Sequence, residues 1–442
     1  MNARSADAFA RPHVLMICNN GTPTDRRIWL ECTTLRDAGF AVSVISPTHG
    51  SQPRRERIDG IDIYRYHPLL RRGSARRMAL SFAVSWLHTA RLAATVWRRQ
   101  RFQVIQACNP PDTYFPLAVL FRPFGVRFVF DQHDLCPEIY LDRVAQPSSL
   151  VHRALLALER WTHRTAAHVV TVNESCKDLL VSRTGTPRDQ ITVVRTGPDF
   201  ARLQLAGRRA ELKNGRRFLC AYLGIMGPQD GVELVLHAID WVVHGLGRDD
   251  IQFILLGDGQ CLTDLKRLAT ELDIEPWLEF TGWADDELIS AALSTADLGL
   301  QPDRRTPFTE MCTMLKTVEY LSFGLPVVTF DLVETRRTAR GAAAYVAEEN
   351  AAGYAEMITE LLDAPERRAA MSALALRRAR TDLSWESQRD IYVDVLRAVV
   401  EGPGAVGQPA APARPREDDL TLRRRIRAGR GWPDNNRRGA RP

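Results

Sequence analysis

The sequence of 442 residues has no C-x-x-C spacing among its eight cysteines, Cys18, Cys32, Cys108, Cys136, Cys176, Cys220, Cys261 and Cys312. A structural zinc centre needs clustered ligands, so that class is excluded and no metal is expected. Cys18, Cys108 and Cys220 fall in apolar runs. They read as small buried thiols in a reducing compartment. No G-x-x-x-x-G-K-[ST] loop is present, and Gly257-Asp258-Gly259 alone is a poor dinucleotide fingerprint. Residues 1–11 lack the apolar segment of a secretory leader. The most apolar stretch, 78–97, contains His88 and Arg91 and is too polar for a bilayer span. The expectation from these absences is a cytoplasmic protein.

An excess of charge is also missing from most of the chain. The formal net charge is +6, and residues 402–442 hold ten Arg against four acids. Residues 1–401 are therefore neutral overall. A nucleic-acid binder carries its basic excess on the folded surface, so no nucleic-acid partner is expected. The 402–442 stretch is rich in Pro, Gly, Ala and Arg and is expected to be disordered. With 45% hydrophobic and 25% charged residues, the rest should fold. Its length suggests two domains.

Short Val- and Ile-rich runs at 13–18, 41–46, 61–66, 103–108, 127–132, 168–173 and 191–196 read as strands. Helical periodicity fills 24–38, 75–99, 149–166 and 174–183 between them. A second set of strands is expected at 218–224, 251–257, 278–282, 296–302, 326–330 and 342–346. Helices are expected at 231–245, 260–273, 285–294 and 312–323. Alternation of this kind means βαβ units, so the fold class is α/β with two Rossmann-like parallel-sheet domains facing each other across a cleft. The expected boundaries are 12–200, 201–383, a carboxy-terminal helix at 384–401 packing back on the first domain, and the tail at 402–442. Ligands of such sheets bind beyond the carboxyl ends of the strands.

The segment 306–330, TPFTEMCTMLKTVEYLSFGLPVVTF, carries the strongest chemical signal. A helix is expected to open near Cys312–Thr313 and to end at Gly324. Its amino terminus, at Thr313 and Met314, would attract phosphate. Lys316 in the first turn opposes the helix dipole and needs an anionic partner, unless it is a solvated surface residue. Glu319 stands in an otherwise apolar run and must be paired. A ribose diol or a salt bridge would serve. Asn19, Asn20, Gly21 and Thr22 follow the first strand, and Gly224, Ile225, Met226 and Gly227 follow the first strand of the second set. In FDQHDLCPEIY, His133 follows a strand among Asp131, Asp134 and Glu138, a setting suited to proton handling or to a sugar hydroxyl. Asn109 and Asp112 of NPPD could line the same mouth.

TMLKTVEYLSFGLPVVTFDLVETR resembles the helix–strand signature of retaining glycosyltransferases of family 4, with the GT-B fold. DRRIWLECTTLRDAGF, NPPDTYFPLAVL, FVFDQHDLCPEIY, YLGIMGPQDGVELVLHAI, LLGDG and FTGWADDELISAALSTADLGLQP match in order and spacing from residue 12 to 400. The resemblance implies a metal-independent transferase that takes a nucleotide-sugar, UDP being the commonest carrier, as substrate and needs no cofactor. It implies a glycan or lipid-linked acceptor in surface polysaccharide or glycolipid assembly. Glu319 would bind the ribose and Lys316 the diphosphate, helped by Thr313 and Met314. Gly282 and Trp283 would meet the base. Gly21, Thr22, Gly224, Met226 and Gly227 would approach the diphosphate and sugar. His133, with Asp134, would contact the transferred sugar, and Asn109, Asp112 and Glu138 would lie on the acceptor side.

Two departures from that pattern stand out. Where many members have a second Glu eight residues before Glu319, this chain has Met311, and Glu310, the nearest acid, is the donor-binding candidate in its place. GIMGPQDG has no Lys or Arg where many members have two. Arg26 or Arg27 is the candidate replacement, unless both are helix-face charges behind a capping Asp25. D-x-D is absent, which argues against metal-dependent single-domain transferases. A nucleotide-sugar epimerase on the same fold and a non-catalytic sugar-nucleotide binder are the competing readings. Finally, 71–101 contains eight Arg and no acid, interleaved with Leu80, Phe82, Trp86, Leu87 and Trp97. It reads either as a sheet-packing helix with a basic face or as a peripheral contact with the anionic inner face of the cell membrane.

Overall fold

The computed structural model describes residues 11–402, except 24, 49–51, 69–74, 145, 199, 201 and 203, with 75–79 described by backbone alone. The expected disorder of the tail falls outside the described residues. Residues through Gly402 form one compact unit.

The amino-terminal half is built from β1 (His13–Ile17), α1 (Arg26–Asp37), β2 (Ala41–Pro47), β3 (Arg55–Ile58), β4 (Ile61–Tyr66), α2 (Ala75–Arg99), β5 (Val104–Cys108), α3 (Phe115–Phe121), β6 (Arg127–Gln132), α4 (Cys136–Arg143), α5 (Ser149–Thr165), β7 (His168–Thr171), α6 (Glu174–Thr184) and β8 (Ile191–Val193). Its sheet has the order β3-β4-β2-β1-β5-β6-β7-β8. Every pairing is parallel except β3 with β4. β3, RERI, lacks the apolar signature of a strand and was not expected; it is a charged antiparallel edge, the kind of strand that blocks further pairing. β1 and β5 are buried at every position, as central parallel strands must be. One sheet face packs against α2, α3 and α6. The other packs against α1 and α14.

The carboxy-terminal half holds β9 (Phe218–Leu223), α7 (Val232–Asp240), β10 (Ile251–Leu256), α8 (Leu262–Glu271), β11 (Leu278–Gly282), α9 (Asp286–Thr295), β12 (Leu298–Gln301), α10 (Leu315–Ser322), β13 (Val327–Phe330), α11 (Val333–Ala339), β14 (Ala343–Val346), α12 (Ala351–Leu362), α13 (Pro365–Thr381) and α14 (Trp385–Glu401). Its all-parallel sheet has the order β11-β10-β9-β12-β13-β14. The strand order turns back between β9 and β12, the kind of switch point where open α/β sheets bind ligands.

The halves are tied together by residues that follow the strand ends. Ser175 Oγ donates to Glu334 at 2.6 Å, and Arg195 Nη1 reaches the same carboxylate at 2.9 Å. Arg337 Nη2 pairs with Asp178 at 3.0 Å. α14 crosses back onto the first sheet, where Tyr392 OH donates to Gln106 at 2.8 Å and Trp385 Nε1 to Thr34 at 2.9 Å. At the crossing the chain passes so close to itself that a Cβ on Gly197 would lie 2.4 Å from the Leu383 carbonyl oxygen. Only glycine fits there.

Candidate active site

α10 sits between β12 and β13, its amino terminus at the carboxyl ends of the sheet. It opens at Leu315, two residues later than expected, with no side chain capping it. Thr313 lies before the helix, where its Oγ1 accepts from Asn173 Nδ2 of the other half at 2.9 Å. Lys316 is 9% exposed, which overturns the solvated alternative. Its Nζ lies 2.9 Å from Asp303 Oδ1 and 3.6 Å from Asp230 Oδ1, and 5.2 Å over the Tyr222 ring. Burial opposes its charge, but the two carboxylates outweigh burial and hold its pKa above the usual lysine value. Burial in turn pushes Asp230 up despite Lys316, and Asp303 Oδ2 is buried without a hydrogen-bond partner.

Glu319, three residues along the helix, is half-buried. Its Oε1 lies 3.5 Å from Arg202 Nη2, whose Nε is 3.3 Å from Asp286. Burial raises the Glu319 carboxyl, and Arg202 and Arg26 pull it back down. Arg26, at the start of α1, therefore reaches electrostatically across from the first half. Arg27 does not: its Nε pairs with Glu31 at 3.2 Å and its Nη2 with Asp131 at 3.5 Å. The structure divides the two arginines, Arg26 toward the other half and Arg27 inward.

The glycine loops fit tightly around Lys316. A Cβ on Gly224 would sit 3.3 Å from Lys316 Cε and 3.1 Å from the Tyr222 hydroxyl. Gly227 N–H donates to Asp230 Oδ2 at 3.0 Å, fixing the carboxylate that faces Lys316. Met226 corrects an expectation: its side chain is in the core, its N–H donates to the Asp258 carbonyl and its carbonyl accepts from Cys261, each at 3.0 Å. It braces the loop and offers no group to a ligand. Gly282, in the left-handed region, accepts from Gly257 N–H at 2.9 Å. The next residue, Trp283, is 86% exposed.

His133 stands on a buried polar network. Its Nε2 lies 2.8 Å from Asp131 Oδ2. Burial opposes ionisation of Asp131, but His133 and Arg27 outweigh it and the carboxyl titrates below its usual range. An ionised carboxylate can only accept, so His133 Nε2 is the donor to Asp131. Gln106 Nε2 donates to both Asp131 and Glu31 at 3.1 Å. Glu31 is raised well above its usual range, by burial first and then by Asp131. Ligand atoms of Glu31, Cys108, Asp131 and His133 lie within 4.8 Å of one another, a grouping that could hold a metal ion. Arg27 and Gln106 already supply positive charge and donors to its two carboxylates. Asp134 is raised by burial in spite of His133.

Several expected ligand-binding side chains serve as braces. Asn109 Oδ1 accepts from the backbone N–H groups of His133 (2.7 Å) and Asp134 (3.0 Å), and its Nδ2 donates to Asp112 Oδ1 (2.8 Å). It shapes the His133 loop. Asp112 is almost fully buried, with Oδ2 unpartnered, and burial raises its pKa to about 7. Glu138 pairs with Arg183, which also holds Glu159. Thr22 is fully buried, its hydroxyl on Cys18 and its carbonyl on Arg65. Gly21 is buried and its carbonyl accepts from Asp25 N–H at 2.7 Å. Glu310 Oε2 accepts from Val333 N–H at 2.7 Å, so it caps α11 instead of facing a donor. Asp131, Glu31, Asp230, Asp303 and Arg202 were not singled out as site residues. Asp131 was visible beside His133, and Glu31 left a signal as an acid four residues after Arg27 on one helix; the other three left none.

Comparison with known proteins agrees with this architecture. A family model described as Glycosyltransferase Family 4 matches residues 25–202, and one described as Glycosyl transferases group 1 matches residues 217–364. The alpha-D-kanosaminyltransferase of Streptomyces kanamyceticus is 25% identical over 294 residues, covering 63% of this chain and 72% of the relative. A GDP-mannose-dependent monoacylated alpha-(1-6)-phosphatidylinositol monomannoside mannosyltransferase of Corynebacterium glutamicum is 28% identical over 174 residues, covering 39% of this chain and 45% of the relative. The crystal structure of Anabaena HepE in complex with UDP superposes with a TM-score of 0.65 at 14% identity, covering 87% of this chain and 99% of that one. With one model on each half, and with both halves doubly wound parallel sheets, the chain belongs to the family 4 glycosyltransferases and is an enzyme of the GT-B fold.

Proposed function

We propose that the chain transfers a sugar, with retention of anomeric configuration, from a UDP-sugar to a glycan or lipid-linked acceptor at the inner face of the cell membrane, in surface polysaccharide or glycolipid assembly. The observation that carries this reading is the pairing of Lys316 and Glu319 on successive positions of one helix face at the strand ends, with Arg26 opposite. Glu319 holds the ribose diol. Lys316 meets the diphosphate, which displaces one of its two carboxylates. Trp283 covers the base. UDP is favoured over GDP by frequency in the family, and HepE binds UDP. The Corynebacterium relative acts on a phosphatidylinositol mannoside, which supports a lipid-linked acceptor.

The chemistry follows from charge. Cleavage of the sugar–phosphate bond leaves an oxocarbenium-like sugar and a diphosphate, and Lys316 offsets the developing negative charge. His133, held through Nε2 by Asp131, hydrogen-bonds a hydroxyl of the transferred sugar. Asp134 orients the same loop. The leaving diphosphate oxygen takes the acceptor proton on the same face, so no protein nucleophile, metal or cofactor is needed.

A thermal-shift screen of UDP-, GDP- and ADP-sugars tests the donor. A ligand at a hundred times its dissociation constant adds about 2.7 kcal/mol. One UDP-sugar should stabilise the wild type and leave Glu319→Ala unshifted. A shift by GDP-sugars alone would change the nucleotide, and no shift from any of them would leave the transferase without a donor site here.

A further inference from the structure

α5 carries its apolar stripe on the outside. Leu150, Ala154, Ala157 and Trp161 follow one another at spacings of four, three and four residues, which places them on one helix face. All four are exposed, Leu150 by 68% and Trp161 by 55%. The opposite face, Glu159, Thr162 and His163, is the buried one. Leu155, Leu156 and Leu158 are half-buried, so α5 is apolar on its inner side as well as on its outer face, whereas a helix that only packed on its sheet would be polar outside. α3 lies beside α5 and ends in a tight turn, Arg122–Phe124, that leaves Leu120 60% and Phe124 63% exposed. The Phe124 ring sits 5.7 Å from Trp97 of α2, so the third helix continues the same surface. On α2 the exposed Leu80, Ala83 and Leu87 are followed by Arg91 and Arg98 on the same face. Trp86 and Trp97, which the sequence placed among the candidate membrane residues, instead pack into the core.

The charge of this surface has one sign. Arg153, Arg160 and Arg164 flank the stripe of α5, and all are exposed. Arg98 of α2 and Arg122, which follows α3, are exposed too. The acids of α4 and α5 do not balance them: Glu138 and Glu159 are spent on Arg183, and Asp142 is half-buried. No helix among the described residues is long and apolar enough to cross a membrane.

We propose that the outer faces of α5, α3 and α2 form a docking surface for an anionic lipid bilayer, with Leu150, Trp161, Leu120 and Phe124 entering the headgroup boundary and the arginines meeting lipid phosphates. Apolar side chains ringed by arginine are what an interfacial surface requires. A second copy of this chain is the poorer occupant, because self-association through this face would set arginines against arginines. The surface also reaches the candidate site. His133 and Asp134 directly precede α4, which spans about 12 Å, and the exposed Leu141 and Val144 stand at its far end. A lipid-linked acceptor could pass from the bilayer along α4 to His133. That last link rests on the acceptor proposed above; the surface itself does not.

The test is flotation of the full chain with vesicles of equal phosphatidylglycerol and phosphatidylcholine, against vesicles of phosphatidylcholine alone. The wild type should bind the anionic vesicles, and Leu150→Glu/Trp161→Glu should bind them at least tenfold more weakly. Leu120→Glu/Phe124→Glu should do the same from the neighbouring helix. Both variants should keep the wild-type melting temperature and donor-induced shift, which separates loss of the surface from loss of the fold or of the donor site. The proposal is overturned if the wild type ignores anionic vesicles, or if both variants bind them as it does, in which case the Arg-rich tail common to all three carries the attraction. It is equally overturned if sedimentation velocity shows a wild-type dimer that the variants abolish while no form binds vesicles.

Discussion

In the carboxy-terminal half the exposed large apolar side chains Trp283, Ile225 and Leu315 sit on loops or helix starts at the strand ends. In the amino-terminal half such side chains lie on the outer helices, among arginines. The cleft groups differ in the same sense. His133 rests on an ionised carboxylate braced by Arg27 and Gln106, whereas Lys316 is shared by two carboxylates, one with an unpartnered oxygen. One half presents a settled network, and the other holds a cation shared between two carboxylates. Under the proposed function the contrast separates an acceptor side, which must hold a geometry, from a donor side, where a diphosphate must exchange with those partners on each turnover.

The largest effect that would break this comparison is expected at Lys316. Lys316→Met leaves Asp230 and Asp303 buried without a cation, which should cost about 3–5 kcal/mol in urea unfolding. Adding Asp303→Asn should recover a large part of it. Because charge-assisted hydrogen bonds contribute about 1.5–3 kcal/mol, transfer by the stabilised double variant should still fall by roughly tenfold to a few hundredfold. Recovery of stability together with full activity would remove Lys316 from the chemistry.

A smaller effect should come from Asp112. Its folded pKa is raised to about 7 by burial. The native state therefore keeps a proton that the unfolded chain releases near pH 4. Its contribution to stability is complete below that value and is lost as pH rises to about 7. Asp112→Asn does not titrate, so its stability relative to wild type should rise by about 2–3 kcal/mol between pH 5 and pH 8. A pH-independent difference in unfolding free energy would show that the wild-type carboxyl is solvated.

Next is the cap at Glu310. Glu310→Ala should lower stability by about 1 kcal/mol, as for other lost helix caps, with the donor-induced shift unchanged. Loss of that shift would return Glu310 to the donor site. The smallest effect belongs to the outer helix: Leu150→Glu/Trp161→Glu should change unfolding free energy by no more than about 0.5 kcal/mol. A larger loss would mean that the exposed stripe is covered within the chain.

Most strands were legible because parallel strands buried on both faces are continuous apolar runs, as at 13–17, 104–108 and 218–223. α2, α5 and α14 were legible from helical period. β3 was missed because its register is set by pairing with β4 and not by its own side chains. α4 and α11 escaped because seven or eight residues are too few for a period to show. Lys316 and Glu319 stood out as charges in an apolar helix. Their partners did not, since Asp230 and Asp303 lie on the loops after β9 and β12 and Arg202 in the connection between the halves. Glu310, Met226, Asn109 and Glu138 were assigned to ligands because polarity and position at a strand end cannot reveal that a side chain is already engaged by its own backbone neighbours or by another buried side chain.

The most direct test of the central claim, that Glu319 holds the donor ribose, is calorimetric titration of UDP and of 2′,3′-dideoxy-UDP into wild type and Glu319→Ala. Hydrogen bonds to a charged group contribute about 1.5–3 kcal/mol, so wild type should prefer UDP by about tenfold to a hundredfold. Glu319→Ala should bind both nucleotides with equal, weaker affinity. A variant that still discriminates as wild type does, or a wild type that does not discriminate at all, would contradict the account.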